Sequence, residues 1–235
     1  NEVVENRDGS QRWYLTSVID VHGNAVLYKW ESNGSLRARY LDLIEYSTTD
    51  ISIQFEREDR SFGYFIFDAY YSQRLKAVRV MVGNSQRRKY ELTYVQPAAN
   101  VDKLESIQEF GTGNQALPKH LFEFQRYQAG DLDQFLLTRL DLPQGGWLEM
   151  DYAASNTWPG TLNKEYVWTL KDKWIHDGRN NVTHESYSYN GDFAVNDVFY
   201  GFKEKTTRSP AVGGPYRVMT FNHDYDDSAR SWPTK

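Results

Sequence analysis

The stretch FLLTRLDLPQGGWLEMDYAASNTW, Phe135 to Trp158, decides the fold class. Phe135, Leu137 and Leu140 have the character of core residues, yet Arg139, Asp141, Glu149 and Asp151 are scattered among them. Pro143-Gln144-Gly145-Gly146 cuts the run in two. Alternation of apolar and polar residues on both sides of a Gly-Gly turn is the signature of a β-hairpin, whereas a helix needs apolar residues every three or four positions. The carboxylates of this hairpin are either aimed at a substrate or they are the polar face of a sheet that does no chemistry.

The same pattern recurs outward in both directions. Trp13, Leu15, Ser17 and Ile19 alternate with Tyr14, Thr16, Val18 and Asp20; after Val21-His22-Gly23-Asn24 the chain returns through Val26, Tyr28 and Trp30. Gly-Asn supplies the positive φ that a tight hairpin turn needs. Further strands are expected over Tyr40–Tyr46 and Ile51–Phe55, then Leu75–Val82 with a return through Tyr90, Leu92 and Tyr94. Leu104–Phe110, His120–Tyr127, Tyr166–His176, Val182–Tyr189, Tyr200–Arg208 and Tyr216–His223 complete the set. Pro97–Asn100 and Gln128–Asp131 read as loops, and Asn196–Tyr200 as room for one helical turn. Strands at this density imply an all-β fold of antiparallel hairpins. No linker rich in Gly, Pro or Ser divides residues 1–235, which read as a single β-rich segment with a weak subdivision near residue 96.

Composition narrows the function classes. The 235 residues are enough for a substantial core, and aromatic residues are 15% of them, which suits sheets covered by Tyr, Phe and Trp. The net charge of -5 disfavours nucleic acid, whose binding needs a basic stripe to displace phosphate counterions. Arg87-Arg88-Lys89 forms a basic run, and it reads as the solvated end of a strand. With no cysteine, disulfides, thiol nucleophiles and Cys-ligated zinc drop out. No apolar run is long enough to span a membrane, and no signal peptide is present. The start at Asn1 and the end at Pro233-Thr234-Lys235 in mid-pattern suggest a piece of a longer protein.

Three motifs vary one theme of strand, glycine turn and strand ending in paired aromatics. VIDVHGNAVLYKW has Asp20-x-x-Gly23-Asn24-x-x-x-Tyr28-x-Trp30. LLTRLDLPQGGWLEMDYAAS carries Pro143-x-Gly145-Gly146 and then Tyr152. VTHESYSYNGDFAVNDVFYGFKEKTT carries Tyr187-x-Tyr189-x-Gly191 and then Tyr200-Gly201-Phe202. In this order they resemble the Tc-toxin B-component, SpvB and RHS-repeat proteins, in the stretch that precedes or starts the RHS region; the resemblance covers most of residues 10 to 225. It implies an extended, curved antiparallel sheet, either a shell wall or a β-domain beside it, that encapsulates a toxic C-terminal region. The implied partners are other segments of the same polypeptide, the enclosed toxin and a translocation component, with no nucleic acid and no membrane contact by this segment. The implied location is secreted or at the cell surface. The family's short Tyr-Asp repeat does not occur cleanly here, and its self-cleavage segment is absent.

The residues that could do chemistry each have a plainer explanation. His176 and His184 flank one turn and, with Asp177, make the best zinc candidate, but a hairpin supplies two ligands where zinc wants three or four. His22 lies in a turn, His120 starts a strand, and His223 precedes Asp224, Asp226 and Asp227, which suggest a calcium loop yet lack the glycine and the closing glutamate of one. Glu149 and Asp151, two apart on a strand, share a face as a glycosidase pair would, although any polar strand face produces such pairs. No Gly-x-Ser-x-Gly elbow occurs, and Gly111-Thr112-Gly113-Asn114 lacks a phosphate-binding lysine and so reads as a turn. Trp13, Trp30, Trp147, Trp158, Trp168, Trp174 and Trp232 either pack across strands or stack on sugar rings, which makes a carbohydrate-binding β-module the alternative function. Asn33-Gly34-Ser35 and Asn181-Val182-Thr183 match the glycosylation acceptor pattern, relevant only in a secreted eukaryotic chain. The expectation is a non-catalytic structural segment with no catalytic, cofactor-binding or metal-binding residue assigned and no cofactor.

Overall fold

A computed structural model describes residues 2–5, 11–32, 38–66, 69–98, 101–129, 132–155, 167–195, 198–210 and 216–222. The fold is all-β and antiparallel, as the alternation requires. The chain divides into two compact units, Asn1–His120 and Leu121–Lys235. Residue 96 falls inside a strand of the first.

In the first unit β1 (Glu2–Glu5) pairs with β2 (Gln11–Tyr14) in a two-stranded sheet separate from the main one. The main sheet runs in sequence order: β3 (Ser17–Ile19), β4 (Ala25–Ser32), β5 (Arg39–Tyr46), β6 (Ile51–Ile66), β7 (Ala69–Val82), β8 (Ser85–Ala98) and β9 (Val101–Phe110). The second unit continues in the same manner with β10 (His120–Ala129), β11 (Leu132–Asp141), β12 (Trp147–Ser155), β13 (Val167–His176), β14 (Val182–Val195), β15 (Val198–Pro210) and β16 (Tyr216–Asn222). Both are open meanders, with no closure into a barrel among the described residues. Bulges interrupt many of the ladders, for example at Lys29/Trp30, Glu123/Phe124 and Asp151/Tyr152. Each extra residue bends its strand and deepens the local twist, which curves the sheet.

Several expectations need correction. The strands expected at Ile51–Phe55 and Leu75–Val82 leave residues 56–74 unassigned; in the structure β6 runs on to Ile66 and pairs with β7 from Ala69. Charged residues at 56 to 60 mask the period there, because on this sheet both faces carry ion pairs. Pro97 and Ala98 belong to β8 rather than a loop, and Pro97 sits in the bulge between Val95 and Ala98, where a missing N–H breaks no ladder bond. Gln128 and Ala129 likewise extend β10. Val198 to Tyr200 begin β15 and carry no helical turn. The expected strand through Trp13 and Ile19 is broken at Leu15–Thr16 into β2 and β3.

Two hairpin turns are built alike. Asp20 Oδ1 accepts from the backbone N–H groups of His22 (2.8 Å) and Asn24 (2.9 Å), while its Oδ2 accepts from Asn24 Nδ2 (2.7 Å). Asp177 repeats the set with Arg179 (2.7 Å), Asn181 (3.1 Å) and Asn181 Nδ2 (2.6 Å). In both, the asparagine side-chain bond leads in holding the carboxyl below the usual carboxylate range. The fourth residue of each turn has positive φ, Gly23 at 86° and Asn180 at 71°. Neighbouring turns in the second unit touch backbone to backbone: a Cβ on Gly178 (φ 76°) would lie 2.6 Å from the Gly145 carbonyl oxygen.

The described residues enclose little core. Among the described residues, Ala38 and Ala77 are the only buried apolar side chains, and the buried polar ones are Ser106 and Lys103. Large apolar residues are half-exposed on sheet faces. Rows of paired residues cross the strands instead, such as Phe122, Leu140, Leu148, Ile175 and Thr183 over β10 to β14. A cross-strand pair contributes roughly 0.2–1 kcal/mol, so stability accumulates row by row.

Gly178→Ala should destabilise the second unit by about 1–3 kcal/mol, because Ala must take positive φ and meet the Gly145 carbonyl. A urea unfolding midpoint unchanged from wild type would contradict this.

Candidate functional site

Period-2 alternation gathers the second unit's chemistry-bearing residues on one face. The ladders align Arg139, Glu149, Trp174 and His184 in one row and Asp141, Trp147, His176 and Val182 in the next. A third row holds Asp151, Asp172 and Ser186. This is the polar face of the hairpin at residues 135–158 and of the hairpin that follows it.

Two tryptophan–histidine stacks organise the face. Trp147 lies on His176 with ring centroids 4.3 Å apart and 10° between planes, and Trp174 lies on His184 at 4.9 Å and 2°. The Arg139 guanidinium sits 5.0 Å from the Trp147 ring centroid. β11 and β13 flank β12 on opposite sides, so Trp147 is sandwiched between Arg139 and His176. Arg139 also pairs with Asp141 (2.9 Å) and Glu149 (3.1 Å); the Asp141 bond leads in pushing the guanidinium above its ordinary value. Glu149 accepts a further bond from Trp147 Nε1 (3.2 Å). His176 Nε2 lies 3.3 Å from Glu149 Oε2, yet this buried nitrogen has no hydrogen-bond partner among the described residues.

The third row has the residue types of a hydrolytic triad without its connectivity. Asp172 Oδ1 accepts from Ser186 Oγ (2.9 Å) and lies 2.8 Å from His184 Nε2, while Ser186 Oγ is 3.4 Å from the same Nε2. A triad carboxylate orients Nδ1 so that Nε2 faces the serine. Here acid and hydroxyl converge on one nitrogen, which leaves no proton path from serine through the ring to the acid. Burial alone would raise the Asp172 carboxyl, but His184, Ser186 and Lys171 together hold it below the usual range.

The other candidates are dispersed. His176 and His184 are not opposite one another, because His176 faces Val182 and Trp174 faces His184. Asp177 is spent on its own turn, and among the described residues no three His, Cys, Asp or Glu side chains converge on a metal position. Asp151 pairs with Lys171 (3.6 Å) and accepts from the Tyr152 N–H, whereas Glu149 belongs to Arg139. The two carboxylates of the glycosidase reading are thus each engaged by separate partners. His22 is exposed in its turn and His120 opens β10. Gly111-Thr112-Gly113-Asn114 is a turn, with Thr112–Asn114 a single 3-10 turn. In the basic run Arg88 pairs with Glu109 (2.7 Å) and Lys89 with Glu91 (3.1 Å).

Trp30 donates Nε1 to the Leu15 carbonyl (2.9 Å) and meets Tyr14 edge-on. Trp168 packs edge-on with Tyr127, and its Nε1 is buried with no partner among the described residues. Asn181 of the glycosylation pattern donates Nδ2 to Asp177. His223, Asp224, Asp226, Asp227, Trp158, Trp232 and Asn33-Gly34-Ser35 lie outside the described residues, as does the side chain of Trp13.

No protein-family model matches the chain, and no curated protein sequence matches it.

Because the Asp172 carboxyl is held low in the folded state, its contribution to stability is complete above the unfolded value near pH 4 and is lost as pH falls through the folded value. Asp172→Asn should therefore flatten the acid limb of a stability–pH curve below about pH 4. Parallel acid limbs for variant and wild type would contradict it.

Proposed function

We propose that this chain is a non-catalytic wall segment of a Tc/RHS-type toxin protein, one part of a β-shell that houses a toxic C-terminal region in a secreted or surface-exposed protein. The observation that carries the proposal is the near absence, among the described residues, of buried apolar side chains in two open meanders. A free-standing β-domain buries one face of each sheet against a second layer. Here the row from Phe122 to Ile175 has no such layer among the described residues, while the opposite face is closed up by stacks and ion pairs. Such a sheet suits a role in which other segments, or an enclosed polypeptide, lie against it.

The test is oxidative footprinting of the polypeptide as its source makes it. A wall segment predicts face-selective protection, with Phe122, Leu140, Leu148 and Ile175 shielded and the Trp147–Trp174 face labelled, or the reverse. Equal labelling of both faces, or a natural product with nothing beyond these residues that stays monomeric, overturns the proposal.

A second reading, a carbohydrate-binding β-module, is favoured by one observation: Trp147, Trp174, His176 and His184 share a face with the half-exposed carboxylates of Glu149 and Asp151. Because Arg139 and His176 occupy both sides of Trp147, sugar stacking falls to Trp174. On a glycan array Trp174→Ala should abolish binding and Trp147→Ala should weaken it less. Binding that survives Trp174→Ala, or no binding by wild type, removes this reading.

A further inference from the structure

The first unit contains a departure from its ladder that the wall reading does not use. Along β6 and β7, Asp59 pairs with Gln73 and Tyr64 with Tyr71, so Arg60, Ser61, Phe62 and Gly63 stand opposite Ser72 alone. An ordinary bulge adds one residue, and this one adds three. Where β6 leaves the ladder, the backbone N–H groups of Ser72 and Gln73 donate instead to the hydroxyl of Tyr40 on β5, at 3.1 and 3.2 Å. The displaced residues find partners further away. Ser61 Oγ donates to Gln96 Oε1 on β8 (3.0 Å), and Arg60 Nε donates to Asp102 Oδ2 on β9 (2.8 Å).

β9 is three strands from β6, about 14 Å across a flat sheet, further than an arginine Nε and an aspartate oxygen can bridge. The segment must cross over β7 and β8, or the sheet must curl to meet it. Asp102 is the anchor, with its side chain 7% exposed between Arg60 and Arg74, the latter at 2.9 Å. Arg74 in turn pairs with Glu58 (2.7 Å) and lies 4.3 Å from the Tyr94 ring centroid, so two guanidinium groups and two carboxylates close a neutral cluster under the crossing. On the strap side, a Cβ at Gly63 would run into the Tyr70 ring, 2.2 Å from its Cζ; only glycine fits that close approach.

We propose that residues 60–63 form a strap across one face of the first unit, latched on Asp102, which holds the β6–β9 sheet curled toward that face and covers Arg74 and Tyr94. Releasing the latch uncovers that face while the ladders on either side of it persist. The strap is independent of what the sheet encloses, so it stands or falls separately from the wall reading.

Limited trypsin digestion with mass-spectrometric mapping tests it. In the wild-type chain, cleavage after Arg60 should be slow compared with cleavage after Arg179, which lies in an exposed turn. Asp102→Asn should speed cleavage after Arg60 by about tenfold or more, the scale of losing a part-buried charge-assisted bond, and leave cleavage after Arg179 unchanged. If Asp102→Asn does not fold, Ser61→Ala, which removes only the Gln96 bond, should give a smaller increase at the same site. Equal rates after Arg60 and Arg179 in wild type, or no change at Arg60 in a folded variant, overturns the strap.

Discussion

A side chain on a sheet with little behind it has few places to find partners: along its own row, diagonally on the next strand, or in water. That constraint governs both units. With Ala38 and Ala77 the only buried apolar side chains among the described residues, burial of large apolar groups cannot carry the stability that it carries in a two-layer domain. Cross-strand contacts carry it instead. They take three forms here: apolar rows such as Phe122 to Ile175, aromatic stacks such as Trp147 on His176, and ion pairs such as Arg79 with Glu56 or Arg57 with Glu31. Fully exposed pairs of the last kind contribute little singly, but several of the part-buried cations also lie against rings: Arg139 on Trp147, Arg74 on Tyr94, Lys89 on Phe110.

The same constraint explains what was legible in the sequence. Hairpins with a glycine turn could be read, and their registers follow by counting outward: about the turn at 177–181, His176 faces Val182, so Asp172 must face Ser186. The Asp172–Ser186 pairing was in reach of that count and was missed because neither residue belongs to a recognised motif. The long β6–β7 hairpin was missed for a different reason. Glu56, Arg57, Glu58, Asp59 and Arg60 look like solvated loop when one expects a buried face, whereas here they are the ladder's own adhesive. The stacks were illegible too, since period 2 places Trp147 and His176 on a face but says nothing about which ring lies on which.

The candidate histidines illustrate how register decides chemistry. His176 and His184 are close in sequence and symmetric in appearance about a turn, yet the pairing sends one toward Trp147 and the other toward Trp174. Moving the turn by one residue would bring a different pair together, and a ligand set guessed from spacing alone would change with it. The carboxylates Glu149 and Asp151 part in the same way: Glu149 turns to Arg139, opposite it on β11, while Asp151 meets Lys171, the extra residue of the bulge that follows Asp151 on the β13 side.

The meander order has a consequence for how the protein is made. Every strand of each main sheet pairs with strands adjacent to it in sequence, and turns such as Asp20–Asn24 and Asp177–Asn181 satisfy their own backbone donors locally. Few of these contacts close a long loop, so little chain entropy is lost before pairing begins. During synthesis each new strand finds its template in the one just completed. Assembly within a unit can therefore proceed from the amino end as the ribosome delivers the chain, with the growing edge always the most recently translated strand.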